Sequence, residues 1–182
     1  MRVGACALPV WHAIQQRIGE EMKRLIKWLV VVLVVAVAAV FIWGYAPDTD
    51  AAAMETKYSS SASRFAELEP GLRVHYRDEG NRDGRVLVLI HGSNASLHTW
   101  EPWVQILGKE YRIISMDLPG HGLTGQNPSG TYDAATYVGV VDRLLTRLNV
   151  KRAIIGGNSM GGGVTWLYTL THPKKVEAML LV

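Results

Sequence analysis

A chain with a single cysteine, Cys6, cannot close an internal disulfide. A disulfide-stapled scaffold is therefore excluded, and thiols say nothing about the redox compartment. Charge of one sign is scarce as well. The formal net charge is +3, but it is confined to one end of the chain. Residues 1–27 hold Arg2, Arg17, Lys23, Arg24 and Lys27 against Glu20 and Glu21, while residues 28–182 hold fourteen charges of each sign. A body without a basic field does not attract phosphates, so no nucleic-acid partner is expected. There is no internal repeat. At 48% hydrophobic and 19% charged residues the composition fits neither a disordered tail nor a collagen-like repeat. No group of His, Asp, Glu and Cys has metal-ligand spacing, so neither a metal nor a cofactor is expected.

Long apolar runs are not lacking. Trp28 to Pro47 carries no charge, and eleven of its residues are Val, Leu, Ile or Phe. As a helix, about twenty residues span about 30 Å, the thickness of a bilayer core. Central insertion values make those eleven residues worth about −3 to −7 kcal/mol. Trp28, Trp43 and Tyr45 mark the two interfaces. The run is too long for a strand and exceeds a signal-peptide core, and Ala51-Ala52-Ala53 lies well past its end. An uncleaved transmembrane anchor at 28–46 is expected. Lys23, Arg24 and Lys27 precede it and Asp48 and Asp50 follow, so the basic tail, 1–27, stays cytoplasmic and the body is exported. Met22 opens a compact targeting sequence, which suggests a start there. Residues 47–63, with four serines, read as a linker.

From Arg64 onward short apolar runs alternate with longer amphipathic ones. Strands are expected at 72–77, 86–90, 111–116, 153–156 and 176–182. Helices are expected at 100–107, 133–148 and 160–171, the second with Val138, Val141, Leu144, Leu145 and Leu148 at helical spacing. This alternation predicts an α/β fold, a mostly parallel sheet covered on both faces. Ligands then sit beyond the carboxyl ends of the strands, after Ile90, Met116 and Gly156.

Gly157-Asn158-Ser159-Met160-Gly161 follows one of those strands and opens a helix. In G-x-S-x-G a serine on a sharp turn is lifted clear of the sheet, and flanking glycines let strand and helix approach. The cluster has no P-loop lysine, and its glycines miss the dinucleotide fingerprint spacing. Two further motifs precede it: His91-Gly92-Ser93-Asn94, with Trp100 downstream, and Asp117-Leu118-Pro119-Gly120-His121-Gly122.

In this order the three motifs resemble the N-terminal part of the α/β-hydrolase family, over residues 64–182. The resemblance implies that Ser159 is the nucleophile and that the N–H groups of Ser93 and Met160 form the oxyanion hole. Gly157, Asn158, Gly161, His91 and Gly92 would shape the elbow and its surroundings. Serine at this position disfavours aspartyl-ester chemistry on halides or epoxides. The Gly-Asn-Ser-Met-Gly-Gly form is similar to carbon–carbon-bond hydrolases, lactonases, esterases and haloperoxidase-like members, which implies a small-molecule substrate. His91 and His121 are expected to shape loops rather than act as base. His98 is expected at the surface or a helix start, and Asp117 to satisfy local backbone donors.

The family triad runs Ser, then Asp/Glu, then His. Residues 160–182 contain one histidine, His172, and one acid, Glu177, in the wrong order. The expectation is a membrane-anchored serine hydrolase whose 182-residue chain is a truncated, inactive product. The alternative is a non-catalytic fragment or binding module.

Overall fold

The structure is a computed structural model that describes residues 7–46 and 49–182. Met1, Arg2 and Cys6, and Pro47 and Asp48 of the predicted linker, lie outside the described residues. The chain forms two units, one up to residue 48 and one from Thr49 to Val182.

The first unit is one helix, α1 (Ala7–Gly44). It is long and apolar enough over Trp11–Gly44 to cross a membrane. It contains the predicted span, 28–46, except its last two residues, and continues toward the N-terminus into the basic tail as far as Ala7, through Pro9 and Gly19. At 1.5 Å per residue it is about 57 Å long, well beyond a bilayer core. From Trp11 to Trp43 its Leu, Val, Ile and Trp side chains are exposed.

The second unit is a six-stranded sheet. Its strands are β1 (Ser63–Glu69), β2 (Leu72–Gly80), β3 (Arg85–Ile90), β4 (Tyr111–Met116), β5 (Ala153–Gly157) and β6 (Val176–Leu181), in the order β1-β2-β4-β3-β5-β6. β1–β2 and β2–β4 pair antiparallel; β4–β3, β3–β5 and β5–β6 pair parallel. The expected mostly parallel sheet is present, with the first two strands antiparallel beside it.

Residues read as the linker are partly ordered structure. Ala51–Tyr58 form a short helix, α2, capped by Asp50, whose side chain accepts from Ala53 N–H at 2.8 Å. Arg73 of β2 holds it through two hydrogen bonds to Glu55, of 2.7 and 3.0 Å. The last linker residue, Ser63, already belongs to β1. Serine-rich composition concealed both features. The predicted helix at 100–107 is a 3-10 turn, Leu97–Trp100, leading into α3 (Glu101–Leu107). Helices α4 (Ala134–Arg147) and α5 (Met160–Thr171) stand where the periodicity put them, α4 capped by Asp133.

Two apolar layers flank the sheet. Val88, Ile90, Ile114 and Met116 point to one face and meet Val138, Val141 and Leu144 of α4 and Val164 and Tyr168 of α5. Leu87, Leu89 and Ile113 point to the other and meet Trp100 and, from α3, Trp103, Val104 and Leu107. Strict alternation in β3 thus fills both layers, as a strand buried on both faces requires.

Candidate active site

β3 and β5 lie side by side, with Ile90 opposite Gly157. Their carboxyl ends therefore release two loops at one point, His91-Gly92-Ser93-Asn94 and Asn158-Ser159. The Asn158 N–H donates to the Ile90 carbonyl at 3.1 Å. Ser159 sits between β5 and α5 at φ +51°, ψ −116° and is exposed. For a residue with a Cβ this backbone costs about 1–3 kcal/mol.

The turn survives because its neighbours give way. A Cβ on Gly161 would run into the carbonyls of Ile90 and His91. A Cβ on Gly92 would stand 2.9 Å from Asn158 Oδ1 and 3.3 Å from Ser159 Cβ. The two glycines let the β3 loop, the β5 turn and the start of α5 converge. Gly157 closes β5. Met160 is the first residue of α5, so its N–H belongs to the turn that has no intrahelical acceptor. Ser93 is exposed in a tight turn with Asn94, itself at φ +52°. The eight residues expected to form the nucleophile turn, the oxyanion hole and their surroundings thus lie at the end of β5, on these two adjoining loops and in the first turn of α5.

His91 is fully buried beneath them. Its Nδ1 faces the Gly92 carbonyl at 2.7 Å and its Nε2 accepts from the Leu118 N–H at 3.0 Å. Burial pushes the imidazole below its ordinary range, against the opposing pull of the Gly92 carbonyl and Asp117. Both ring nitrogens are engaged, so the ring ties the β3 loop to the loop after β4. His121 packs on it, with ring centroids 5.1 Å apart.

Asp117 reaches further than its own turn. Oδ2 accepts from the Leu123 N–H at 2.8 Å, the expected local contact, but Oδ1 accepts from the Leu97 N–H at 2.7 Å, ahead of α3. Oδ2 also meets His75 Nδ1 at 2.8 Å. Burial alone would raise this carboxyl; the hydrogen bonds from His75, Leu123 and Leu97 outweigh it and hold it below the usual carboxylate range. His75 was not singled out in the sequence. Its signal was a polar residue next to Val74 in a strand buried on both faces. His98, in the 3-10 turn, contacts Arg77, Ser96 and the Tyr58 carbonyl.

His172 caps the far end of α5, about 18 Å along the helix from Ser159, and stacks on Tyr168 at 4.6 Å. Glu177 pairs with Arg85 at 2.9 Å, at the amino ends of β3 and β6. Among the described residues, no side chain hydrogen-bonds to Ser159 Oγ.

The family model for the alpha/beta hydrolase fold matches residues 85–182. The chain belongs to the α/β-hydrolase family. Among its relatives, a serine hydrolase-like protein of Danio rerio is 32% identical over 70% of this chain and 39% of its own length. The (E)-2-((N-methylformamido)methylene)succinate hydrolase of Acinetobacter baylyi is 31% identical over 66% of this chain and 44% of its own. Among solved structures, a bacterial membrane phospholipase A aligns with a TM-score of 0.63 at 30% identity, over 87% of this chain and 51% of its own. The chain thus spans less than half the length of these curated relatives.

Proposed function

We propose that the protein is a membrane-anchored serine hydrolase that transfers acyl groups to water through Ser159. One observation carries this reading: a serine held in a strained backbone conformation, exposed at the first turn of a helix, with the β3 loop packed against it. A serine turn of this kind is the family's nucleophile elbow. Ser159 Oγ attacks a carbonyl carbon of an ester, thioester, lactone or vinylogous carbon–carbon substrate. The N–H groups of Met160 and Ser93 hold the oxygen that gains charge, and each such donor is worth about 10²–10³ in rate. Water then releases the acyl group. The α1 helix anchors the enzyme, with its N-terminus cytoplasmic and the hydrolase unit exported.

A serine is a weak nucleophile until a base takes its proton. With no imidazole within hydrogen-bond reach of Ser159 among the described residues, turnover by the 182-residue chain is expected to be slow. An oxyanion hole and binding still retain about 10³–10⁴ over water. Acylation, resolved by site, is therefore the sensitive readout. The chain is treated with a fluorophosphonate and digested with trypsin, and the peptide covering residues 153–174 is followed by mass spectrometry. A phosphonylated Ser159 formed well above the rate of other exposed serines supports the reading. Modification of Ser159 no faster than of Ser129, also exposed, would overturn it.

A further inference from the structure

A hydroxyl–imidazole–carboxylate chain lies away from the elbow, among residues that the function proposed above does not use. Ser63, the first residue of β1, has its Oγ 2.8 Å from His75 Nε2. On the other side of the ring, Nδ1 is 2.8 Å from Asp117 Oδ2. The carboxylate can only accept, so Nδ1 carries the proton, and Nε2 of the neutral ring accepts from the Ser63 hydroxyl. The imidazole and the carboxylate are wholly buried. Ser63 is only half-buried. The Ser60 N–H donates to Ser63 Oγ at 3.1 Å, which fixes the hydroxyl's direction. Phe65 lies against the ring, with centroids 5.0 Å apart, and keeps it in place.

These are the relations a base needs to activate a serine: nucleophile on base, base on an orienting carboxylate, all within hydrogen-bond reach. A simple clip between β1 and β2 would need only the backbone pairing already present, in which Ser63 stands opposite Arg77 and Phe65 opposite His75.

We propose that Ser63, His75 and Asp117 form a second nucleophilic site, at which Ser63 is covalently acylated or phosphonylated by small donors that carry a good leaving group, such as aryl esters and fluorophosphonates. Ser63 Oγ bonds to the acyl carbon or the phosphorus, and the aryloxide or fluoride departs. The hydroxyl proton passes to His75 Nε2 and from there to the leaving group. Asp117 keeps the ring in the accepting tautomer and balances the imidazolium while it exists. The donor supplies its own activation, so the class is limited to such reagents.

The test uses the full chain carrying Ser159→Ala, which removes the elbow serine and separates this site from the proposed hydrolase centre. After fluorophosphonate treatment, trypsin releases residues 58–64, a peptide that holds Ser59, Ser60, Ser61 and Ser63 together. Modification is expected at Ser63 in preference to its three neighbours. In the added presence of His75→Gln, with folding verified by circular dichroism, its rate is expected to fall about 10²-fold, the usual worth of a positioned base. No modification at Ser63, even spread over the four serines, or an unchanged rate in the His75→Gln protein would overturn the proposal. Because His75 is buried, a second measurement leaves it in place. Ser63→Cys and Ser61→Cys chains are alkylated with iodoacetamide in parallel. A thiol paired with the imidazole should react about tenfold faster, and equal rates would refute the relay.

Discussion

Gly161 and Gly163 sit two residues apart in α5 and face opposite demands. Space for a side chain is missing at the first and open at the second, where nothing lies within 4 Å of an added Cβ. Gly161→Ala is expected to cost about 1–3 kcal/mol, as the start of α5 is pushed off the Ile90 and His91 carbonyls. Gly163→Ala should gain about 0.5–1 kcal/mol from helix propensity. Chemical denaturation of the two variants checks both signs. Ser159 offers a third residue-scale outcome. Its positive φ is a strain that glycine does not feel, so Ser159→Gly should be about 1 kcal/mol more stable than Ser159→Ala, while both lose fluorophosphonate labelling at that position. Equal melting curves for the two would show that the turn is unstrained.

At the scale of elements, Asp117 joins three of them: β2 through His75, the segment before α3 through Leu97, and the loop after β4 through Leu123. His91 holds the other end of the same β3 loop. Asp117→Asn replaces an ionised acceptor by an amide that must turn its NH2 toward one of these donors. Breaking a buried pair costs about 3–5 kcal/mol. The expected signature is lower stability, with faster amide exchange at Leu97 and Leu123 than at Leu144 in α4. The elements themselves were largely legible in the sequence. The limits of β4 and α5 match the residue pattern, while Asp133, expected as the first residue of its helix, is the N-cap of α4. The turn at Ser159 was equally legible, since its flanking glycines mark a tight passage from strand to helix and the structure has one there. What stayed hidden has a physical reason. β1 alternates only weakly, and its one fully buried residue is Ala66, so no apolar stripe announces it. The Asp117 partners His75 and Leu97 lie far away in sequence, and no local rule links a carboxylate to them.

For the whole molecule, acid should act in two windows. His91 is held below its ordinary value of 6.5, so under mild acid the unfolded chain binds a proton that the folded chain refuses. Its share of stability is therefore complete above pH 6.5 and lost as pH falls below it. Asp117 is held below 3.8, so its contribution is complete above that value and disappears as pH drops through the lower, folded one. Melting temperature in detergent should thus decline first below about pH 6.5 and again in strong acid, and Asp117→Asn should flatten the second limb. A constant melting temperature between pH 7 and 5 would contradict the burial of a neutral His91. The long helix makes a separate prediction. If α1 spans a bilayer, alkaline carbonate should leave the expressed chain in the membrane pellet, whereas a peripheral protein would be released.

The neighbouring of β3 and β5 also has a kinetic meaning. β3 meets β4 early in the chain, but Leu87 pairs with Ile154 only after the long stretch containing α3, β4 and α4 has been folded back. Closing so large a loop is slow, and contacts of this kind set folding rates. The loop after β3 and the serine turn belong to opposite sides of that closure, so the candidate site cannot assemble before it. The Asn158 amide, bonded to the Ile90 carbonyl across the seam, records the event. In pulsed hydrogen exchange it should become protected later than the amides of the β3–β4 ladder, making the candidate site one of the last parts of the sheet to form.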